Sequence, residues 1–184
     1  MKLARTIRLD ESDANVFELP AESGEWAIPG GFEFSNWSED DLTGQARQAF
    51  AHGWLGLESF GRASVLAITP ITEAERDGLI DILAFHFTES WGAPSVEAVR
   101  PVAEAEVADM IALCADQEDN TLMVIERELT LARAIAPEPQ RLEMLDVAEP
   151  DALETPSMLV FRDVMDHNIR SVCELVGGGQ NLFA

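Results

Sequence analysis

The sequence contains no tyrosine, and Lys2 is the one lysine among its 12 basic residues. Phenol chemistry is therefore excluded, and a lysine Schiff base or a phosphate-binding lysine would have to lie at the extreme N-terminus. No apolar run approaches the roughly 18 residues that a membrane-spanning helix needs. The basic first residues are not followed by an apolar stretch, so they do not resemble a secretory signal. We therefore expect a cytoplasmic protein.

Positive charge is also scarce. The chain has 12 Lys and Arg against 34 Asp and Glu, which gives a net charge of −22, and the acidic excess is spread over its whole length. Nucleic acids and membrane surfaces are negatively charged, and proteins bind them mainly through clustered Lys and Arg. We therefore expect neither as a partner, and we interpret the acidity as a solvated surface.

The motifs of common enzyme families are missing. There is no P-loop, no dinucleotide-binding glycine pattern, no Cys-x-x-Cys pair, no HExxH helix and no nucleophile elbow. The two cysteines, Cys114 and Cys173, lie on apolar faces of expected helices, which favours reduced core thiols. Asp163 and His167 would share a helical face, but no fourth ligand joins them and Asp166. We therefore expect no metal and no other cofactor.

Turn formers and alternating apolar residues dominate the first third of the chain. They predict two hairpins, one from LARTIRL and NVFEL and one from EWAI and FEF. Ser38 is expected to cap a first helix that ends at Gly53. The stretches WLGLES and RASVLAIT predict a third hairpin, closed by a type II turn that places Gly61 at the position of positive φ.

Helical signals follow the third hairpin. A capping box of Thr72 and Glu75 predicts a second helix, which Gly92 ends. A third helix is expected to have Pro101 in its first turn. The stretch NTLMVIEREL then predicts a strand.

The last part of the chain, residues 137–184, is acidic and rich in proline near its start. It predicts a connection and a C-terminal amphipathic helix that pack on a core formed by residues 1–136, although the piece SMLVF alone would also suit a strand. The whole is expected to be a single α+β domain, with a mixed, largely antiparallel sheet of about six or seven strands and helices packed on one face.

Charged residues in the stretch VIEREL provide candidate site residues. Strand alternation places Glu126 and Glu128 on one face and Arg127 on the other. A charge at the end of an apolar face must be paired or solvated, and Glu58 and Arg62 beside the hairpin turn are candidates to pair with it. Such a cluster would be either a cross-strand ion-pair network or a pocket with a glutamate acting as acid or base.

The aromatic residues Trp54 and Phe60 near the same turn look exposed, and a histidine lies near the apolar face of the second helix. No residue is assigned a catalytic role. The candidate ligand or partner site therefore consists of Trp54, Glu58, Phe60, Arg62, His86, Glu126, Arg127 and Glu128.

The stretches TIRLDESDANVFE, GEWAIPGGFEF, LTGQARQAFAHGWLGLESFGRAS, FTESWGAPS and LCADQEDNTLMVIEREL resemble an uncharacterised, chiefly alphaproteobacterial family of small proteins with a domain of unknown function. The similarity covers residues 1–130. The charged, Arg-rich helix with which the family continues is not matched here. The resemblance transfers no catalytic residue and implies an accessory role.

Two functions from different classes follow. One is an accessory or interaction protein that self-associates or binds a protein partner through apolar surface, including Trp54, Phe60 and the C-terminal helix. The other is a small-molecule-binding protein or enzyme that uses the Glu/Arg cluster and His86 in a cleft at the sheet end. A concave pocket joining these side chains would favour the second function, and a flat apolar patch would favour the first. The sequence favours the first and leaves open whether the protein is an enzyme.

Overall fold

The computed structural model describes residues 1–130, 141–144 and 158–166, in which eight strands form one sheet. The strands are β1 (Lys2–Ile7), β2 (Trp26–Ile28), β3 (Trp54–Gly56), β4 (Arg62–Ala63), β5 (Val65–Pro70), β6 (Leu122–Thr130), β7 (Arg141–Met144) and β8 (Met158–Asp166). Their order in the sheet is β4-β3-β2-β1-β5-β6-β8-β7. Neighbouring strands are antiparallel except β6 and β8, which are parallel. Seven strands have three or more residues, and the predicted α+β class is confirmed.

Four α-helices accompany the sheet in the described ranges: α1 (Ser12–Val16), α2 (Gly44–His52), α3 (Glu73–Trp91) and α4 (Val96–Cys114). The long helices α3 and α4 pack against each other, and α4 also contacts β1 and β2. Their buried apolar side chains form one core with those of the strands. This packing supplies most of the stability of such helices, because it removes their apolar faces from water. No helix in these ranges has both the length and the apolar character that crossing a membrane requires.

The ends of α3 are where local sequence signals placed them. The Thr72 hydroxyl accepts from the backbone N–H of Glu75 at 3.2 Å, and the Glu75 carboxylate accepts from the backbone N–H of Thr72 at 3.0 Å. Gly92 ends α3 in a left-handed conformation with φ 67°. Helix α4 begins at Val96, earlier than expected, so Pro101 lies inside the helix rather than in its first turn.

Two of the three predicted hairpins are wrong. Part of the stretch NVFEL belongs to α1, and β1 pairs with β2 and β5 instead. The stretch FEF forms a 3₁₀ helix, Gly31–Phe34, in which Phe32 joins the main core and Phe34 joins a second, smaller apolar cluster with Phe50. An alternation of only three residues is too short to distinguish a strand from a turn that buries aromatic residues on two sides.

The expected first helix is divided into two pieces. The backbone N–H of Ser38 donates to the Asp41 carboxylate at 2.7 Å, which stabilises a 3₁₀ turn over Glu39–Asp41. Helix α2 begins only afterwards. Gly53 follows its end, but with φ −94° it is extended rather than left-handed.

The third predicted hairpin is confirmed in part: β3 and β4 pair in antiparallel fashion, but the rest of the stretch RASVLAIT forms β5, which pairs with β1 and β6. Its type II turn is wrong: Phe60, with φ 55°, has the positive φ that was expected of Gly61. Glycine is needed at position 61 because the backbone of Pro20 and Ala21 passes close to it. A Cβ atom there would lie 2.7 Å from the backbone nitrogen of Ala21 and 2.7 Å from the carbonyl carbon of Pro20.

The predicted C-terminal helix is wrong over Met158–Asp166, which is strand β8 between β6 and β7. The alternative of a strand at SMLVF is the correct one. Leu159 and Val160 are both buried, so consecutive residues of this strand are covered and the alternation that marks a half-exposed strand is missing. Residues 137–140, 145–157 and 167–184, with His167 and Cys173, lie outside the described residues.

Candidate functional site

Two buried arginines meet at the C-terminal end of α2. Arg62 on β4 is 6% exposed and Arg127 on β6 is 4% exposed. Their Nη1 atoms donate to the carbonyl oxygen of Gly53 at 3.0 and 2.9 Å, and Arg127 also donates to Phe50 O at 2.8 Å and to Pro29 O. The last carbonyls of a helix lack partners within it and are partly negative, so buried guanidinium groups are well placed to satisfy them.

The charge of Arg62 is paired with Glu33. Arg62 Nη2 donates to Glu33 Oε2, and the glutamate side chain, from the 3₁₀ helix Gly31–Phe34, is 21% exposed. Burial lowers the pKa of Arg62, and the negative charge of Glu33 opposes this shift. Because the ordinary pKa of arginine is so high, the guanidinium stays charged. The site therefore contains a largely buried ion pair.

The ring of Phe34 lies under both guanidinium groups. The Cζ atoms of Arg62 and Arg127 are 4.5 and 5.3 Å from the ring centroid. Phe34 in turn packs edge-to-face against Phe50 and Trp37, with centroid distances of 5.3 and 4.8 Å. Cation–π attraction and this packing fix the positions of the two charges.

A histidine and an aromatic ring stack beside the ion pair. The rings of Phe60 and His86 have centroids 3.6 Å apart and an interplanar angle of 10°. The buried Nε2 atom of His86 has no hydrogen-bond partner in the described part of the chain and lies 3.9 Å from Glu33 Oε1. A positive φ is unusual for a bulky residue, so Phe60 is held in a strained backbone conformation against this histidine.

A cavity of about 300 Å³ opens next to these groups. Its charged lining residues are Glu18, Glu33 and Arg62. Five of its twelve lining residues are aromatic: Phe17, Phe34, Trp37, Phe60 and Trp91. A second cavity, of about 490 Å³, lies beside the end of β6, where Arg127 and Glu128 line it together with Arg47. The smaller cavity is the one that contains the buried ion pair, and we call it the aromatic pocket.

Several of the residues singled out in the sequence come together here. Phe60 and Arg62 line the aromatic pocket, His86 supports Phe60, and Arg127 reaches the same helix end as Arg62. Others lie apart, since β4 is at the edge of the sheet and does not neighbour β6. The side chain of Glu58 is exposed and forms no ion pair with a described residue.

The remaining sequence candidates occupy other surroundings. Glu126 and Glu128 are exposed on β6 and Arg127 is buried. The glutamates and the arginine therefore lie on opposite faces, as strand alternation predicted. Trp54 is 0% exposed and belongs to the main core, so the expectation of an exposed Trp54 is wrong. It cannot offer surface to a partner in this conformation.

Sequence reasoning missed two glutamates. Glu33 was assigned to a strand, although a lone charge between two phenylalanines is a signal of a paired, partly buried carboxylate. Glu25, 3% exposed, accepts from the backbone N–H groups of Glu22 at 2.6 Å and Ser59 at 2.8 Å and so holds the hairpin turn. A Cβ atom on Gly56 would lie 2.6 Å from Glu25 Oε2, which explains why a residue without a side chain occupies position 56.

The described residues include no group of three or more His, Cys, Asp or Glu side chains arranged to hold a metal ion. Cys114 is fully buried in α4, with its sulfur 4.0 Å from that of Met123. Burial raises the pKa of its thiol to about 12. Because the thiolate is the reactive and metal-binding form, Cys114 behaves as an apolar core residue.

The fold and the site define an α+β protein with a largely buried ion pair in the lining of an aromatic cavity. Comparison with protein families matches residues 1–148 of the 184 to the "Family of unknown function (DUF6505)", and the chain belongs to this family. The match confirms the resemblance to an uncharacterised domain family and continues beyond residue 130. Neither a curated protein nor a solved structure matches the chain significantly.

Proposed function

We propose that the protein binds a small organic molecule in the aromatic pocket, as a cytoplasmic protein. The observation that supports this proposal is a concave cavity that joins a buried ion pair, Glu33 and Arg62, to five aromatic side chains. Small-molecule sites are typically concave and mostly apolar, with a few fixed polar groups that orient the ligand. The cavity volume of about 300 Å³ is at the small end of such sites.

The polar groups of the pocket are held before any ligand arrives. Arg62 is fixed by Gly53 O on one side and by Glu33 on the other. Phe60 is fixed by its stack on His86. Pre-organisation of this kind lowers the entropic cost of binding, because fewer side chains must be ordered by the ligand.

A screen of small organic fragments by ligand-observed NMR tests the proposal. Ala46 lines the pocket from α2, so Ala46→Phe should fill it and abolish binding of the fragments that bind the wild type. Gln48, exposed on the same helix, provides the control: Gln48→Phe adds the same ring outside the pocket and should leave binding intact. The proposal fails if no fragment binds, or if Ala46→Phe leaves the bound fragments unaffected.

A second candidate function is that of an accessory protein that self-associates, and a different surface supports it. Ile82 and Phe85 lie one turn apart on α3 and are 40% and 59% exposed. Adjacent exposed apolar residues on a helix are typical of a protein contact. We propose a homodimer through this face.

Light scattering at tens of micromolar protein should then give twice the 20.2 kDa mass of the chain. Phe85→Asp should return a monomer, whereas Leu9→Asp, at an apolar residue that is 71% exposed elsewhere, should not. A monomer mass for the wild type contradicts this candidate function and leaves ligand binding untouched.

A further inference from the structure

We infer that the ligand of the aromatic pocket is a small organic cation, with an ammonium or amidinium group next to an apolar body. The inference rests on the proposed binding function and adds the charge of the ligand to it. It comes from the orientation of the Glu33–Arg62 pair, from the aromatic wall and from the net charge of the protein.

Glu33 has accepting capacity left on its second oxygen. Oε2 accepts from Arg62, whereas Oε1 accepts no hydrogen bond from any described residue and is 3.9 Å from the unpartnered Nε2 of His86. A carboxylate can accept several hydrogen bonds at once. Since Glu33 lines the pocket and is partly exposed there, Oε1 is available to a donor on the ligand.

Arg62 is a poor receptor for an anion, although it also lines the pocket. Its two Nη atoms donate to Glu33 and to Gly53 O, and its side chain is only 7% exposed. Its role is to hold the Glu33 carboxylate in place. The pair is neutral as a unit, and its more exposed member is the carboxylate.

The wall of the pocket favours a cation as well. The π faces of Trp and Phe attract cations when these lie within about 6 Å of the ring centroid. The ring of Phe34 already lies against guanidinium groups and that of Phe60 stacks on His86, whereas Trp37 and Trp91 complete the aromatic wall. Glu18 adds a further carboxylate to the lining. The net charge of −22 attracts cations toward the protein and repels anions.

Isothermal titration calorimetry with three ligands of one shape tests this charge preference: benzylamine, which is protonated at neutral pH, benzyl alcohol and benzoate. Wild-type protein in about 150 mM salt should bind the ammonium about tenfold more tightly than the alcohol, because a charge-assisted hydrogen bond is stronger than a neutral one. Benzoate should bind most weakly. Equal or tighter binding of the alcohol or benzoate overturns the inference but leaves small-molecule binding in place.

A pair of variants distinguishes binding at Glu33 from the attraction that the net negative charge of the whole protein exerts on any cation. Glu33→Gln keeps the shape of the side chain and a carbonyl acceptor for Arg62. It should lower the affinity for benzylamine about tenfold and change the affinity for benzyl alcohol by less than about twofold. Glu58→Gln makes the same change of net charge at an exposed residue, and it should change neither of these two affinities by more than about twofold. An equal loss in both variants overturns the inference.

The outcomes keep the two proposals apart. The wild-type series decides the charge preference even if Glu33→Gln fails to fold. Failure of all three ligands to bind contradicts the inference, and the fragment screen with Ala46→Phe then decides independently whether the pocket binds small molecules.

Discussion

Arg62 and Arg127 donate to the same acceptor, the carbonyl oxygen of Gly53, at 3.0 and 2.9 Å. The strands that carry them, β4 and β6, have four other strands between them in the sheet. Helix α2 brings the two arginines together, because its C-terminal carbonyls attract both guanidinium groups. The position of Arg62, which lines the aromatic pocket, is therefore fixed by a helix end rather than by a neighbouring strand that carries Arg127.

The Glu33–Arg62 pair should show strong energetic coupling. Arg62→Met removes the buried cation and leaves Glu33 without its partner, so it should lower the free energy of unfolding by about 3 kcal/mol. Adding Glu33→Gln removes the unpaired charge, and the double variant should be more stable than the sum of the single effects predicts by about 1–2 kcal/mol. Urea denaturation measures all four proteins.

The matched control for this cycle is the exposed pair Arg76–Asp77, joined at 2.7 Å. Arg76→Met should change stability by less than about 0.5 kcal/mol, as is usual for surface ion pairs. Strict additivity of Arg62→Met and Glu33→Gln would contradict a direct coupling between the two side chains.

The strained backbone of Phe60 predicts an unusual order of two variants. Phe60→Ala and Phe60→Gly both remove the ring that stacks on His86, but only glycine adopts φ 55° without strain. Phe60→Gly should therefore be the more stable of the two by roughly 1 kcal/mol, the reverse of the usual order within regular structure. The denaturation midpoints of the two variants measure this difference in stability. A more stable alanine variant would contradict a positive φ at residue 60.

Gly61 should be sensitive to substitution because of the space around it rather than because of its φ. An added Cβ would meet the backbone of Pro20 and Ala21 at 2.7 Å, and backbone atoms cannot move aside as a flexible side chain can. Gly61→Ala should lower the free energy of unfolding by about 1–3 kcal/mol. Gly78, where a Cβ meets nothing within 4 Å, is the control, and Gly78→Ala should be neutral or stabilising. Equal stability of the two variants would contradict the close approach.

The thiol of Cys114 should be unreactive in the folded protein. With its pKa raised to about 12, almost none of it is thiolate near pH 8, and it is fully buried. In a Cys173→Ser background, a thiol reagent should label Cys114 only after a denaturant is added, while Gln48→Cys, at an exposed residue of α2, should make the native protein label at once. Rapid labelling of Cys114 in native buffer would show that this part of the core opens readily.

The capping box of α3 predicts a contribution to stability that depends on pH. Hydrogen bonds from the backbone and side chain of Thr72 lower the pKa of Glu75 below its ordinary value. A carboxyl group with a lowered pKa in the folded state stabilises the fold above its unfolded pKa of about 4.3, and this contribution is lost as the pH falls. Glu75→Gln should thus melt below the wild type at neutral pH, and the difference in melting temperature should shrink below about pH 4. A constant difference across this range would contradict an ionised cap.

Local sequence signals predicted the parts of the fold that local chemistry determines. The capping box of Thr72 and Glu75 and the left-handed Gly92 correctly bounded α3, because each acts within one helical turn. Strand alternation correctly placed Arg127 on the face of β6 opposite Glu126 and Glu128. Strand β8 was taken for a helix because residues covered on both faces lack alternation, and pairing with the distant strand β6 decides its conformation.

The candidate site was predicted only in part, for a related reason. Phe60, Arg62 and His86 were singled out by their chemistry and do lie together, but the partner of Arg62 is Glu33 rather than a glutamate of β6. Contacts between residues about 30 positions apart depend on how the chain folds back, here through the 3₁₀ helix after Gly30. No periodicity in the sequence encodes such a contact.

The four tryptophans allow the central claim to be tested in a single NMR titration. Trp37 and Trp91 line the aromatic pocket, whereas Trp26 and Trp54 are 4% and 0% exposed in the main core. When benzylamine is added to ¹⁵N-labelled protein, the indole N–H signals of Trp37 and Trp91 should shift with one shared dissociation constant, and those of Trp26 and Trp54 should stay in place. Single Trp→Phe variants assign the four signals. Signals of Trp37 and Trp91 that do not move, or shifts that occur only at Trp26 or Trp54, would contradict binding in the aromatic pocket.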